Sequence, residues 1–256
     1  MRLRVRHSCH ARRKFGGYKK EEPKRVASIK TRPNRKVEML KRVWAECNYE
    51  RYAEWKPIVN EYNNDPHQGI HTFHRKLRST IKDLRITPRD IEQFSIAMKE
   101  YEHEESFSEK AGHFLSFFIN HSRSRRFMVQ TAHLDRPIDR FGFENRKHVT
   151  IKGSLGHRAG DSMKGGTVVV EGNVGNEAGV SCKGRLVIKG NAGGRLGEFM
   201  SDHGIIEIEG EFDSLGESAR GRIYHKGKPV TDDWKPIDRW DRLGPMQHRI
   251  DQDDEY

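Results

Sequence analysis

The sequence predicts an α+β fold: an N-terminal helical region followed by a C-terminal parallel β-helix of about four to five rungs. Three observations carry this expectation. Of the 24 glycines, 18 fall between Val149 and Gly227. Four segments there superimpose, opening at Val149, Val168, Leu186 and Ile206. Upstream, apolar residues recur at helical rather than strand spacing.

The first element is a basic tail, residues 1–36. It holds 14 Lys/Arg against two Glu, so the net charge of +11 resides in the tail and the remaining body is near neutral. Such an arm is expected to be disordered. Arg2, Arg4, Arg6, Arg12, Arg13 and Lys14, with Phe15 and Tyr18 close by, could bind nucleic acid through counterion release and stacking. A solvated arm, a transit peptide or sequence upstream of the true start fits the same residues.

Residues 37–122 read as a helical domain. Val37, Leu40, Trp44 and Cys47 share one face, as do Ile70, Phe73, Leu77, Ile81 and Leu84. Asp65-Pro66 opens the second helix as cap and first position. Thr87-Pro88-Arg89-Asp90 opens a third, whose stripe is Ile91, Phe94, Met98 and Tyr101. The fourth, around Glu109 to Asn120, carries Phe114, Leu115, Phe117, Phe118 and Ile119 and is the segment expected to be most buried. Residues 123–148, including Arg136 to Phe143, form a connector and cap over the exposed end of the β-helix.

The β-helix spans residues 149–227. Its first corner glycines are Gly153, Gly172, Gly190 and Gly210, and its second are Gly160, Gly179, Gly197 and Gly216. Positive φ, which glycine adopts without steric penalty, is the expected reason for them. Val149, Val168, Leu186 and Ile206 form one inward column, and Ile151, Val170, Ile188 and Ile208 another. Met163, Cys182, Met200 and Ala219 form a third. Lys152, Glu171, Lys189, Glu209 and Lys226 alternate in sign just before the first corner, so each charge should face its opposite on the next rung. A meander of antiparallel hairpins would not repeat the same residue types in the same order. Residues 228–256 form a C-terminal tail in which Trp234 and Trp240 could cover the other end.

These rungs resemble the GXGXG β-helix domain found in the glutamate synthase large subunit and in formylmethanofuran dehydrogenase. The resemblance rests on the LxIxGxxGxxxGxxM-type pattern, clearest at Gly175, Gly179, Gly193 and Gly197, over about 80 residues. It extends to Arg136 if RPID and Phe141-Gly142 form a half-rung. It implies a right-handed β-helix that packs against catalytic partners and does no chemistry itself. No amidotransferase nucleophile, FMN-binding barrel or iron–sulfur cysteine cluster accompanies it.

Other candidate chemistry is sparse. His67, His71 and His74 share a helical face and could ligate a metal, although HQGIHTFH lacks the glutamate of HExxH. A partly exposed helix face explains them as well. Ser201, Asp202 and His203 occupy a two-residue insertion, but adjacent residues do not by themselves build a triad. Cys182 falls in the methionine column, as a core residue would. The three cysteines, Cys9, Cys47 and Cys182, show no zinc or disulfide spacing, which suits a reducing cytoplasm.

The expected function is a non-catalytic scaffold or assembly subunit with no cofactor. Its expected partners are oxidoreductase subunits, or a second copy through the β-helix faces. A nucleic-acid binder acting through the tail is the alternative. An enzyme using His67, His71 and His113 where helices meet the β-helix is a third. No stretch of 18 apolar residues exists, so no membrane is expected as a partner.

Overall fold

A computed structural model of the chain describes residues 34–49, 68–80 and 84–230. Helix α1 (Arg35–Glu46) begins two residues before the apolar stripe, because the Asn34 side chain accepts the Lys36 backbone N–H at 3.0 Å. It buries Val37, Leu40 and Trp44, with Cys47 just past its end. Helix α2 (Gln68–Thr80) buries Phe73 and Leu77. Helix α3 (Pro88–Ala97) starts in the expected capping box: Thr87 Oγ1 accepts the Asp90 N–H, and Asp90 Oδ2 accepts the Thr87 N–H at 2.9 Å. It continues as a 3-10 turn over Met98–Tyr101. Helix α4 (Phe107–His121) is the most enclosed, with Phe107, Phe114, Leu115, Phe117, Phe118 and Ile119 all buried.

The β-helix follows as strands β1 (Arg126–Gln130), β2 (His148–Lys152), β3 (Thr167–Val170), β4 (Arg185–Ile188), β5 (Ile205–Ile208) and β6 (Arg222–His225). They pair in parallel and in chain order. A short antiparallel strand, β7 (Lys228–Pro229), folds back on β6. Here, turn 1 begins at β1, turn 2 at β2, and so on.

The register is the one read from the repeats. Val149 faces Val168, Val168 faces Leu186, Leu186 faces Ile206 and Ile206 faces Ile223. The second column runs from Ile151 through Val170 and Ile188 to Ile208. Met163, Cys182 and Met200 line another side and are buried. Burying each such side chain contributes about 1.5–3 kcal/mol. The stack also begins a full turn before the four recognisable repeats, since Phe127 and Val129 on β1 occupy the same two columns.

The corner glycines have two physical causes. In the second column Gly142, Gly160, Gly179 and Gly197 adopt φ between +70° and +89°, the left-handed region. Gly142 therefore brings the Arg136–Phe143 segment into the stack as part of turn 1. In the first column only Gly153 has positive φ, and close approach explains the others. A Cβ on Gly172 would lie 2.7 Å from the Gly153 carbonyl oxygen, and one on Gly190 2.6 Å from that of Gly172. Gly216 is likewise excluded from bearing a Cβ by Glu198, 2.6 Å away at its Cα.

The alternating charge column is in register along the backbone, yet among the described residues only its first step closes, Lys152 to Glu171 at 2.6 Å. Lys226 turns instead to Glu211. Ion pairs across turns form more fully at the second corner, where Glu177 accepts from Arg158 at 2.6 Å and from Arg195 at 2.9 Å.

Helices close the first end of this stack. Ser95 Oγ on α3 accepts the outward N–H of Gln130 on β1 at 3.0 Å, which removes a free edge. Helix α4 lies directly on turn 1: the Asp139 N–H donates to the Ser108 carbonyl and the Gly142 N–H to Ser116 Oγ. Gly112 makes this approach possible, since a Cβ there would meet the Phe141 nitrogen at 2.9 Å. The Arg136 guanidinium donates to the carbonyls of Glu102 and Glu105 and sits over the Phe107 ring. At the far end, His225 Nε2 donates to the Gly210 carbonyl at 2.8 Å. One turn earlier the Gly190 carbonyl accepts the Gly210 backbone N–H.

Gly179→Val should destabilise the chain by about 3 kcal/mol, because it forces left-handed backbone and overpacks Ile206. Glu177→Ala removes two part-exposed ion pairs and should cost about 1 kcal/mol. Urea unfolding of the two variants reads the difference, and equal midpoints would contradict the assignment of this corner.

Candidate functional site

The site residues read from the sequence fall into four places. Arg2, Arg4, Arg6, Arg12, Arg13, Lys14 and His67 lie outside the described residues, as do Asp65-Pro66, Ile81, Trp234 and Trp240. The corner glycines sit inside the stack, where backbone hydrogen bonds between turns occupy their surroundings. The remaining candidates gather at the helix junction and at one turn of the third corner, the bend just before each strand, which carries Gly165, Gly184, Gly204 and Gly221.

The junction brings together His71 and His74 from α2, His113 from α4 and Phe143 from turn 1. Ring centroids of the three histidines lie 5.9, 5.8 and 5.2 Å from that of Phe143. His113 is fully buried and stacks on Tyr49. His74 Nε2 donates to the His113 carbonyl at 3.2 Å, and its ring packs against Phe117. The helical spacing therefore marks a packed seam between α2, α4 and the first turn, rather than an open helix face. Burial drives the His74 pKa down to about 4, only partly offset by the bond to His113. Burial likewise lowers His121, whose Nδ1 meets the Phe117 carbonyl at 2.8 Å. Among the described residues, no group of three His, Cys, Asp or Glu is placed to hold a metal ion.

Ser201, Asp202 and His203 form a tight turn closed by the Gly204 N–H on the Ser201 carbonyl at 2.9 Å. The insertion leaves a shallow depression in which Ser201, Asp202 and His203 themselves stand with Phe199, Ser218 and Arg220. Phe199 is 63% exposed and has φ of +53°. The equivalent residues of turns 2 and 3 are Ser162 and Ser181, also left-handed. This exposed aromatic has no repeat signature of its own. Its one trace in the sequence is a phenylalanine where two preceding repeats carry serine.

Cys182 is buried beside the methionines, its Sγ 3.4 Å from the Gly184 carbonyl oxygen, and burial raises its pKa to about 12. A thiol so placed is a packing group, since the reactive thiolate is disfavoured. Deeper in the helices, Glu104 accepts from both Trp44 Nε1 and Lys110 Nζ, and the Lys110 ammonium lies 4.4 Å from the Trp44 ring centroid. This trio, with Trp44 and Lys110 buried and Glu104 half-buried, ties α1 to α4. Among the described residues, no helix is long and apolar enough to cross a membrane. Compared with known proteins, the chain matches no family model, no curated protein and no solved structure.

His74 generates a pH dependence. Its folded pKa lies below the unfolded value of 6.5, so the unfolded chain takes up the proton first as pH falls. Stability should therefore decline from about pH 6.5 towards pH 4, by up to roughly 3 kcal/mol from this group. Urea titrations at pH 7.5, 6 and 5 should show the decline, and His74→Gln should flatten it. An unchanged slope in the variant would remove His74 as its source.

Proposed function

We propose that the chain is a non-catalytic scaffold or assembly subunit, associating with an oxidoreductase complex of the glutamate synthase or formylmethanofuran dehydrogenase kind. The observation that supports this reading is the asymmetry of the two ends of the β-helix. Helices α3 and α4 seal turn 1 through hydrogen bonds and close packing. At the other end, among the described residues, only β6, β7 and Val230 follow the last complete turn. Interior turns bury Val174, Ala192, Ala178 and Leu196, whereas the corresponding Phe212 and Leu215 of turn 5 are only partly buried. A part-exposed apolar end, backed only by the short β7 hairpin among the described residues, is a surface against which a partner can pack. The resemblance of the rungs to domains that pack against catalytic subunits supplies the class of partner.

Affinity purification of the full chain from its source should co-isolate a catalytic oxidoreductase subunit. Phe212→Asp with Leu215→Asp should release that subunit while lowering the thermal midpoint by only a few degrees, as expected for part-exposed positions. Isolation of the chain without such a subunit, or equal co-isolation by the folded variant, would reject the proposal.

A further inference from the structure

Stacking places like positions of successive turns over one another, so the charge along each corner can be read as a line. At the first corner the line alternates: Lys152, Glu171, Lys189, Glu209 and Lys226. At the second corner Glu177 pairs with both Arg158 and Arg195, and Glu198 also pairs with Arg195. The third corner differs. Its residues immediately precede the strands, whose first positions align Arg126, His148, Thr167, Arg185, Ile205 and Arg222.

Exposed cations at this corner are Arg125 and Arg126 entering turn 1, Arg146 entering turn 2, Lys183 entering turn 4 and Arg220 entering β6. Among the described residues none of these five has an ion-pair partner. Two further cations there are answered: Lys164 by Glu144 at 3.5 Å and Arg185 by Glu207 at 2.8 Å. Asp202, exposed on the inserted turn, lines the Phe199 depression together with His203 and Arg220. The five unpaired residues form one ridge of exposed cations along the stack. Six strands at about 4.8 Å spacing make that ridge about 24 Å long.

The depression around Phe199 lies on the same corner, between turns 4 and 5. Its exposed ring stands beside Arg220 and His203, where a line of cations meets a flat apolar surface. Cations along a track combined with an exposed aromatic match the requirements of an unpaired nucleic-acid strand: phosphates for the cations, a base for the ring. A duplex would use the cations but offer no free base face to Phe199. An acidic polypeptide would use the charge and leave the ring without a specific role.

We propose that the third corner binds the backbone of a single-stranded nucleic acid, with Phe199 stacking on one base near the C-terminal end of the ridge. This site is independent of the scaffold role and of the basic tail, and it needs neither to be correct. Arginines at four of the five positions suit phosphate, since a guanidinium can hold two of its oxygens at once.

The test uses the full chain and fluorescent 20-nucleotide oligo-U and oligo-dT in anisotropy titrations from 50 to 200 mM NaCl. The triple variant R146E/K183E/R220E should weaken binding at least tenfold and flatten the log–log salt slope by about 2, at roughly 0.7 for each lost phosphate contact. F199A should weaken binding about tenfold with little change in that slope, because stacking is not a counterion effect. The control R35E/R42E/K228E carries the same charge change on exposed residues away from the ridge and should lose far less. Thermal melts confirm that each variant folds. Preference between oligo-U and oligo-dT separates RNA from DNA as the source of the strand. Equal weakening by the control, wild-type affinity in the folded ridge variant, or competition by poly-glutamate as effective as by unlabelled oligonucleotide would overturn the proposal.

Discussion

Each turn of the β-helix must bring its backbone within hydrogen-bonding reach of the turns above and below, and must do so at three corners simultaneously. Between strands only about 4.8 Å apart, a Cβ directed along the stacking axis has nowhere to go. Gly172, Gly190 and Gly210 answer that demand by contact, while Gly160, Gly179 and Gly197 answer it by conformation. The rest of the domain depends on these positions. With the corners closed, the Val/Ile/Leu columns fall into line, Met163, Cys182 and Met200 stack, and Glu177 reaches cations on both neighbouring turns.

The interior of the stack was legible in the sequence because its constraint repeats. A residue type required at one turn is required at the same place on the next, so periods of 18 and 19 expose columns that no single segment would reveal. The helices were legible for a different reason: Thr87-Pro88-Arg89-Asp90 carries its own start signal, and the stripe of Ile91, Phe94 and Met98 its own buried face. Turn 1 was harder to read. Its outer side rests on α4 rather than on another turn, so Ile138 and Phe141 replace the glycine-rich pattern and only Gly142 retains it. The side-chain ladders at the first corner also passed unread. Asn173 Oδ1 accepts the Asn191 N–H at 2.8 Å, and Asn191 Oδ1 accepts the Glu211 N–H at 2.9 Å.

The candidate sites were less legible, since a shared helix face does not reveal what will cover it. His71 and His74 have metal-ligand spacing, yet α4 and Phe143 pack over that face and His74 is spent on a main-chain carbonyl. The cationic ridge was hidden by the body's net neutrality: acids and bases balance in number, but folding distributes them unequally among three corners. Register decides which charges become neighbours, and composition carries no information about that distribution.

The bond from His225 to the Gly210 carbonyl shows how the solenoid ends. An imidazole N–H takes the place that a backbone amide fills everywhere below it, just as Ser95 and Ser116 receive amides at the opposite boundary. The number of turns is accordingly fixed by terminators rather than by the interior, which is indifferent to its own length. Tandem duplication of one internal repeat would lengthen the rod while leaving both terminators intact, so growth by whole repeats is the evolutionary step this architecture makes easiest.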